Sequence, residues 1–413
     1  MHPNAERDFM SGRRALAGSL VALLMPASLL MVSATTSADA ADAPINTTNA
    51  RKAKSKAKLV ALPQIVQQGK KPASANSAKA ALTAKIKPAK AGRPVALQVK
   101  KGSKWKTVSK TKLTKKGLAE FGAPISKRGK ALTYRVSAAR FKGARAVTSK
   151  PESTERWMTA SFTDEFSGSA LSSSWNHRGP NYEPSSLREC SHGDPRAVSV
   201  TGGTARISVI KDPARAGEKC VAKKDGKSTG SYAYRLNGHI GTQGNVSMKY
   251  GFAAARIKMH KLRGQHGGFW LQPATSVAGS FSPKSTGAEI DVIEYFGDKH
   301  PQGGLTSFIY SKNSSGKDVK TGSWLKNSSS FLKNRKDGWS KNYHVFSVEW
   351  TPSTYVFRID GKETWRTKVG VSGQEQFPIL SLLSSDYEIS QMKGGDRKLP
   401  QTMSVDWIRL WQA

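Results

Sequence analysis

Ala288-Glu289-Ile290-Asp291-Val292-Ile293-Glu294-Tyr295-Phe296 places three acids within six residues, in a chain with 29 Asp and Glu against 66 Lys and Arg. As a β-strand this segment alternates its side chains between two faces, so Glu289 and Asp291 point the same way. Strict alternation would send Ile293 to that face and Glu294 to the other. One extra residue in the strand, a β-bulge at Val292-Ile293, returns Glu294 to the side of the other two acids. Acids at alternating positions also suit a solvated sheet face. The apolar Ile290, Val292, Ile293, Tyr295 and Phe296 read instead as a central strand, where unpaired acids are costly unless they have a role. Three carboxyls on one buried face repel one another unless one keeps a proton. A neutral acid beside an ionised one is what glycoside hydrolysis requires.

Strand texture continues outward from this motif. Segments 205–210, 252–259, 343–350, 354–359 and 403–411 are rich in apolar and β-branched residues, and Gly-, Ser- and Asn-rich connections separate them. No long stretch carries the 3.6-residue period of a helix. Many strands over about 250 residues imply two large packed sheets, an all-β domain.

Several ordered motifs resemble glycoside hydrolase family 16, which includes laminarinases, lichenases, agarases and carrageenases. Glu289-Ile290-Asp291-Val292-Ile293-Glu294 is similar to the bulged form of the family's acid signature. Phe162-Thr163-Asp164-Glu165-Phe166-Ser167-Gly168 with Trp175 resembles its opening strand. The 250–259 run, Tyr-Gly-Phe-Ala-Ala-Ala-Arg-Ile-Lys-Met, and Gly267-Gly268-Phe269-Trp270-Leu271 resemble two of its central strands. Phe346-Ser347-Val348-Glu349-Trp350-Thr351-Pro352, with Ile359-Asp360-Gly361, is similar to a family hairpin, and Val405-Asp406-Trp407-Ile408-Arg409-Leu410-Trp411 to the closing strand. The resemblance covers roughly residues 155–413. It implies a concanavalin-like β-jelly-roll sandwich whose concave sheet binds sugar.

The resemblance also implies roles. Glu289 takes the nucleophile position, Glu294 the acid/base position, and Asp291 hydrogen-bonds Glu289. Retention of anomeric configuration needs the two working carboxyls about 5–5.5 Å apart. Four pleat steps separate their α-carbons by about 13 Å, so the two side chains must lean towards each other. Trp270 is the leading sugar platform, His266 and Gln265 are candidate hydroxyl contacts, and Tyr310 lies on the strand expected next. Asn181, Tyr182 and Trp175 are further candidates, whereas Trp350, Trp407 and Trp411 read as core packing. Glu165 and Asp406 are the candidate side-chain ligands for the structural calcium that family members often carry; no cofactor is required. Two departures bear on the substrate: His266-Gly267-Gly268 lacks the family's first Trp and Pro, and Leu305 to Tyr310 lacks the histidine many laminarinases carry.

The first 40 residues read as a signal peptide: Arg13-Arg14, an apolar run from Ala15 to Met31 broken by Pro26, then Ala38-Asp39-Ala40. An uncleaved anchor is the alternative, because the run nears the length of a membrane span. No later segment can cross a membrane, so a secreted, extracellular or wall-associated monomer is expected. Cys190 and Cys220 are the two cysteines. An oxidising compartment implies one disulfide between them, two buried thiols being the alternative.

Charge divides the chain. Residues 41–150 hold 28 Lys and Arg against Asp42 and Glu120, a surplus of 26 within the overall +37. Residues 41–77 read as a basic disordered linker. Residues 78–150 carry short alternating strands such as 94–100 and 132–136, which suggests a small immunoglobulin-like β-sandwich. No nucleic-acid-binding motif accompanies the charge, so nucleic acid is not the expected partner. An anionic cell-wall polymer and a simple solubilising spacer are the two readings left.

The sequence thus predicts a secreted, retaining endo-glycoside hydrolase of β-1,3- or mixed β-1,3-1,4-glucan. The alternatives are a transglycosylase, a galactan, agar-type or wall-polysaccharide hydrolase, and a carbohydrate-binding or adhesion protein without catalysis.

Overall fold

A computed structural model describes residues 54–275 and 282–413. The expected signal peptide, residues 1–40, and the first part of the expected linker, 41–53, lie outside the described residues. Among those described, no helix is long and apolar enough to cross a membrane.

The linker expected over 41–77 does not hold from Lys56 onward. Lys56–Ala61 is a strand, paired along its whole length with Ala80–Lys87. Lys56 and Lys58 are exposed while Leu59 and Ala61 are buried. The lysine-rich composition conceals a period-2 pattern that gives one apolar face, and that face joins a core. Lys56–Ala61, Ala80–Lys87 and Leu118–Ala123 form one antiparallel sheet; Pro94–Lys101, Lys104–Lys112 and Thr133–Ala138, with two short strands, form a second. Val95, Leu97 and Val99 point inward from the second sheet to meet Leu82, Ala84 and Ile86 of the first. Lys104–Lys112 is an edge strand with four lysines, a charge pattern that discourages pairing with another chain.

From Phe162 the chain forms the large all-β jelly-roll sandwich. Its front sheet runs Asp318–Trp324, Leu305–Lys312, Glu289–Tyr295, His266–Pro273, Gln376–Leu383 and Arg235–Gly241. Its back sheet runs Ala205–Lys211, Gln401–Gln412, Gly251–Lys258, His344–Thr351, Thr354–Ile359 and Lys362–Thr367. Arg235–Gly241 belongs to both, because its first half pairs with Ala205–Lys211 and its second with Gln376–Leu383. Ile290, Phe269, Leu271 and Leu380 from the front meet Ala253, Ala255, Ile257 and Val348 from the back in one core. Cys190 and Cys220 form a disulfide.

The central strands of the back sheet are buried on both faces. Phe252, Ala254, Val345, Trp407 and Trp411 point away from the jelly-roll core and share a hydrophobic cluster with the N-terminal sandwich. Residues 62–77 are a strap across this junction. Leu62 and Ile65 are buried, Trp407 Nε1 donates to Gln67 Oε1 at 2.6 Å, and Arg256 Nε donates to the Gln67 carbonyl at 2.6 Å. Lys54 to Ala413 accordingly form one compact unit.

Candidate active site

The strand pairing places the bulge where the alternation of acids requires it. On one side Asp291 faces Trp270 and Ile293 faces Phe269, which leaves Val292 without a partner. On the other, Asp291 faces Phe308 and Glu294 faces Thr306, so Val292 and Ile293 together span Ser307. Both bulge residues turn into the core, each 2% exposed. Two consecutive apolar residues are therefore swallowed by the sandwich, and Glu294 emerges on the outer face of the front sheet with Glu289 and Asp291.

Cross-strand neighbours organise the acids into rows. Glu289 faces Tyr310 on one side, and the ladder that pairs Leu271 with Ile290 sets Gln272 beside it on the other. Asp291 lies between Trp270 and Phe308, and Glu294 between Gly268 and Thr306. Thr306 Oγ1 donates to Glu294 Oε2 at 3.0 Å. The Trp270 indole is half-buried, donates to Ser381 Oγ at 3.0 Å and stacks with His239 at 6.0 Å. Gly268 makes room for it: a Cβ there would stand 3.2 Å from both Trp270 Cδ1 and Ser381 Oγ. Gly268 thus lets the indole lie close beside the Glu294 row.

Burial and mutual repulsion set the protonation of the group. The Glu289 carboxyl is pushed up to about 7 by loss of solvent and by the charge of Glu294; the Gln272 amide, Arg188 and a hydrogen bond from Asp291 oppose the rise. Asp291 is 4% exposed and is held well above the usual carboxylate range by burial, then by the charges of Glu289 and Glu294. The pair therefore keeps its shared proton on Asp291, which donates it in a hydrogen bond to an ionised Glu289. Lys320, whose Nζ lies 3.8 Å from the Phe308 ring centroid, favours charge on Asp291 without reversing that order. His239 is driven well below its ordinary value by burial and by Arg178 and Arg188, so it is a neutral ring beneath Trp270.

The other sequence candidates divide. Tyr310 joins the Glu289 row. His266 shares the face of Gly268 and Trp270, but it is buried, with Nδ1 2.8 Å from Glu388 Oε2 and its ring stacked on Phe296. Gln265 is fully buried with its amide turned to the carbonyls of Leu262 and Arg263, so it supports a loop rather than a ligand. Asn181 is exposed on the loop that leads to Cys190. Neighbouring Tyr182 donates to Asp212 at 2.8 Å, and Trp175 donates to Asp164 at 2.9 Å as part of the core. Trp350, Trp407 and Trp411 are buried packing residues.

Glu165 and Asp406 do not fit a calcium site. Arg409 Nη2 lies 2.7 Å from Glu165, and buried Arg256 Nη1 lies 2.5 Å from Asp406. Two arginines already neutralise the carboxylates, and their charge would repel a divalent cation. No group of three or more acidic, histidine or cysteine side chains suited to a metal occurs among the described residues.

Gln272, Arg178, Arg188 and Thr306 are the site neighbours that sequence reasoning missed. Gln272 carried a usable signal, since it follows Trp270 by two residues on a strand and so shares its face. The others become neighbours only through pairing with distant segments.

Comparison with known proteins finds several similar chains. Glucan endo-1,3-beta-glucosidase A1 of Niallia circulans is 24% identical over 272 residues, which cover 62% of this chain and 38% of that protein. The clotting factor G alpha subunit of Tachypleus tridentatus is 23% identical over 180 residues, 41% of this chain and 24% of that one. The chain thus spans well under half the length of these curated relatives. The laminarinase catalytic domain of Thermotoga maritima MSB8 aligns with a TM-score of 0.47 at 18% identity, over 62% of this chain and 98% of that one. The family model of glycosyl hydrolases family 16 matches residues 211–409, the span that holds the bulged strand and both of its neighbours. Residues 211–409, just under half of the chain, are thus similar to glycosyl hydrolases family 16.

Proposed function

We propose that this chain is an endo-acting hydrolase of β-1,3- or mixed β-1,3-1,4-glucan that retains anomeric configuration. The observation that carries the reading is the bulge at Val292-Ile293, which brings three carboxyls to one sheet face with the proton of the inner pair on Asp291. A sheet that only bound sugar would gain nothing from three mutually repelling acids.

In this reading the Glu289 carboxylate attacks the anomeric carbon while Glu294 gives its proton to the departing glycosidic oxygen. The C–O bond to the leaving sugar breaks as the glycosyl–Glu289 ester forms. Glu294, now a carboxylate, takes a proton from water; the water oxygen bonds to the anomeric carbon and Glu289 leaves as carboxylate. Asp291 holds Glu289 in place through its hydrogen bond, and Trp270 offers an apolar face to a sugar ring.

The test is digestion of a panel containing laminarin, lichenan, agarose and galactan, with products resolved by chromatography and the first-formed anomer read by proton NMR. Oligosaccharides from a β-glucan that appear first as the β-anomer support the proposal. Release from agarose or galactan alone would move the substrate to that class, and first-formed α-anomer would refute retention.

The basic N-terminal part has a separate reading as a holder of anionic wall polymer. Lys70, Lys71, Arg206 and Lys258 line a cavity between the strap and the back sheet, with no acid among its lining residues. The full chain should then be retained on isolated cell wall and released by salt; retention unaffected by salt would sink the idea. Its immunoglobulin-like reading rests on the three-strand and larger sheets, and on Tyr134, whose hydroxyl donates to the Pro124 carbonyl at 2.7 Å. Export rests on residues 1–40, and fractionation of cells that express the full chain tests it.

A further inference from the structure

Gln272 stands across the ladder from Glu289, where facing Cβ atoms are about 5 Å apart. Its amide oxygen accepts a hydrogen bond from Arg178 Nη2 at 3.0 Å. Arginine can only donate, so this contact fixes which end of the amide is oxygen and turns the NH2 group towards Glu289, its hydrogen-bond neighbour. Arg178 is itself clamped. Its Nη1 donates to Gln243 Oε1 at 2.8 Å, its guanidinium lies 5.2 Å from the Phe377 ring centroid, and the side chain is buried. Gly241 admits it, since a Cβ there would stand 2.9 Å from Arg178 Cδ.

We propose that Arg178 and Gln272 are positioning residues that orient the Glu289 carboxylate for attack and stabilise its charge; this rests on the nucleophile reading of Glu289. An arginine placed directly against Glu289 would neutralise it. An amide placed between them passes on a fixed donor with partial charge and leaves the carboxylate nucleophilic. The other groups that act on Glu289 do not substitute for this contact. Glu294 repels it, Asp291 donates from its own strand, Tyr310 faces it from the next strand, and Arg188 acts from the loop before Cys190. Lys320 acts on Asp291, and His239 is neutral.

The test compares wild type with Gln272→Leu, Arg178→Met and Arg178→Lys, after circular dichroism and thermal melts have shown each to be folded. Two readouts are taken. One is the acid limb of kcat/KM against pH on the best β-glucan. The other is a carbon-13 NMR titration of side-chain carboxyls, with Glu289 assigned from its loss in Glu289→Gln. In Gln272→Leu the Glu289 midpoint should rise by about one pH unit, roughly tenfold in ionisation constant, and the acid limb should move with it. Arg178→Met should shift both in the same direction by less, and Arg178→Lys should restore part of the shift. An unchanged Glu289 midpoint in Gln272→Leu overturns the proposal, whatever happens to the rate. If wild type hydrolyses no glucan, the hydrolase reading fails while the titration still decides the positioning claim. If Arg178→Met does not fold, Gln272→Leu decides alone.

Discussion

Glu289→Gln should abolish turnover and, at alkaline pH, make the protein more stable. The side chain sits on a strand whose other face is core, and its carboxyl is raised from 4.5 to about 7 by lost solvation and by Glu294. A group whose pKa is raised on folding is bound more tightly as the acid. The stability this gives is complete below about pH 4.5 and disappears as pH rises through about 7. At 1.36 kcal/mol per unit, full ionisation removes about 3 kcal/mol relative to the protonated state. Gln keeps the shape and never ionises, so the variant escapes that cost. For the compact unit Lys54–Ala413, an unfolding entropy of about 2.1 cal/mol/K per residue makes 3 kcal/mol about 4 °C in Tm. Scanning calorimetry of both proteins between pH 4 and pH 8.5 measures it. The variant should melt about 4 °C higher at pH 8.5, and the gap should close at pH 4. The exposed Glu183→Gln control should show no gap at either pH. A gap independent of pH, or a wild type that melts higher at pH 8.5, would refute the argument that this face stores electrostatic cost for use in catalysis.

Three further outcomes are expected. Glu294→Gln should lower turnover by about 10²- to 10⁴-fold, the usual contribution of general acid–base catalysis, with azide restoring activity and giving a β-glycosyl azide; no azide product would remove Glu294 from the acid/base role. Arg256→Met should cost about 3–5 kcal/mol in urea unfolding because Asp406 stays buried without its partner, while Arg256→Met with Asp406→Asn should recover most of that loss. Equal losses in the single and double variants would show that the pair is not coupled. Replacing Cys190 and Cys220 together by Ser should cost about 3–4 kcal/mol, since the bridge closes a separation of 30 residues; a loss below about 1 kcal/mol would contradict the loop-entropy account.

Much of the front sheet is legible because strand alternation is a local property. The spacing of Glu289, Asp291 and Glu294 implies a bulge at Val292-Ile293, and the strand pairing places it there. The same alternation was available at Lys56 to Ala61, but there lysine content masked the apolar face of Ala57, Leu59 and Ala61. Composition argued for disorder; pairing with Ala80–Lys87 and the apolar back sheet outweighed it. Glu165 and Asp406 failed as a calcium site for a different reason. Acids count as ligands only if nothing else neutralises them, and Arg409 and Arg256 do.

By itself the sequence determined the period-2 frame, the one-residue excess in it and the identity of the three acids. These depend on residues within a few positions of one another, where backbone geometry leaves little choice. Only the tertiary structure decided who stands beside them. Gln272 lies 94 residues from Arg178, Gln67 lies 340 residues from Trp407, and Asp406 lies 150 residues from Arg256. Such neighbours are fixed by which strands pair and which faces dock. That is a property of the whole chain's burial of apolar surface and not of any local pattern.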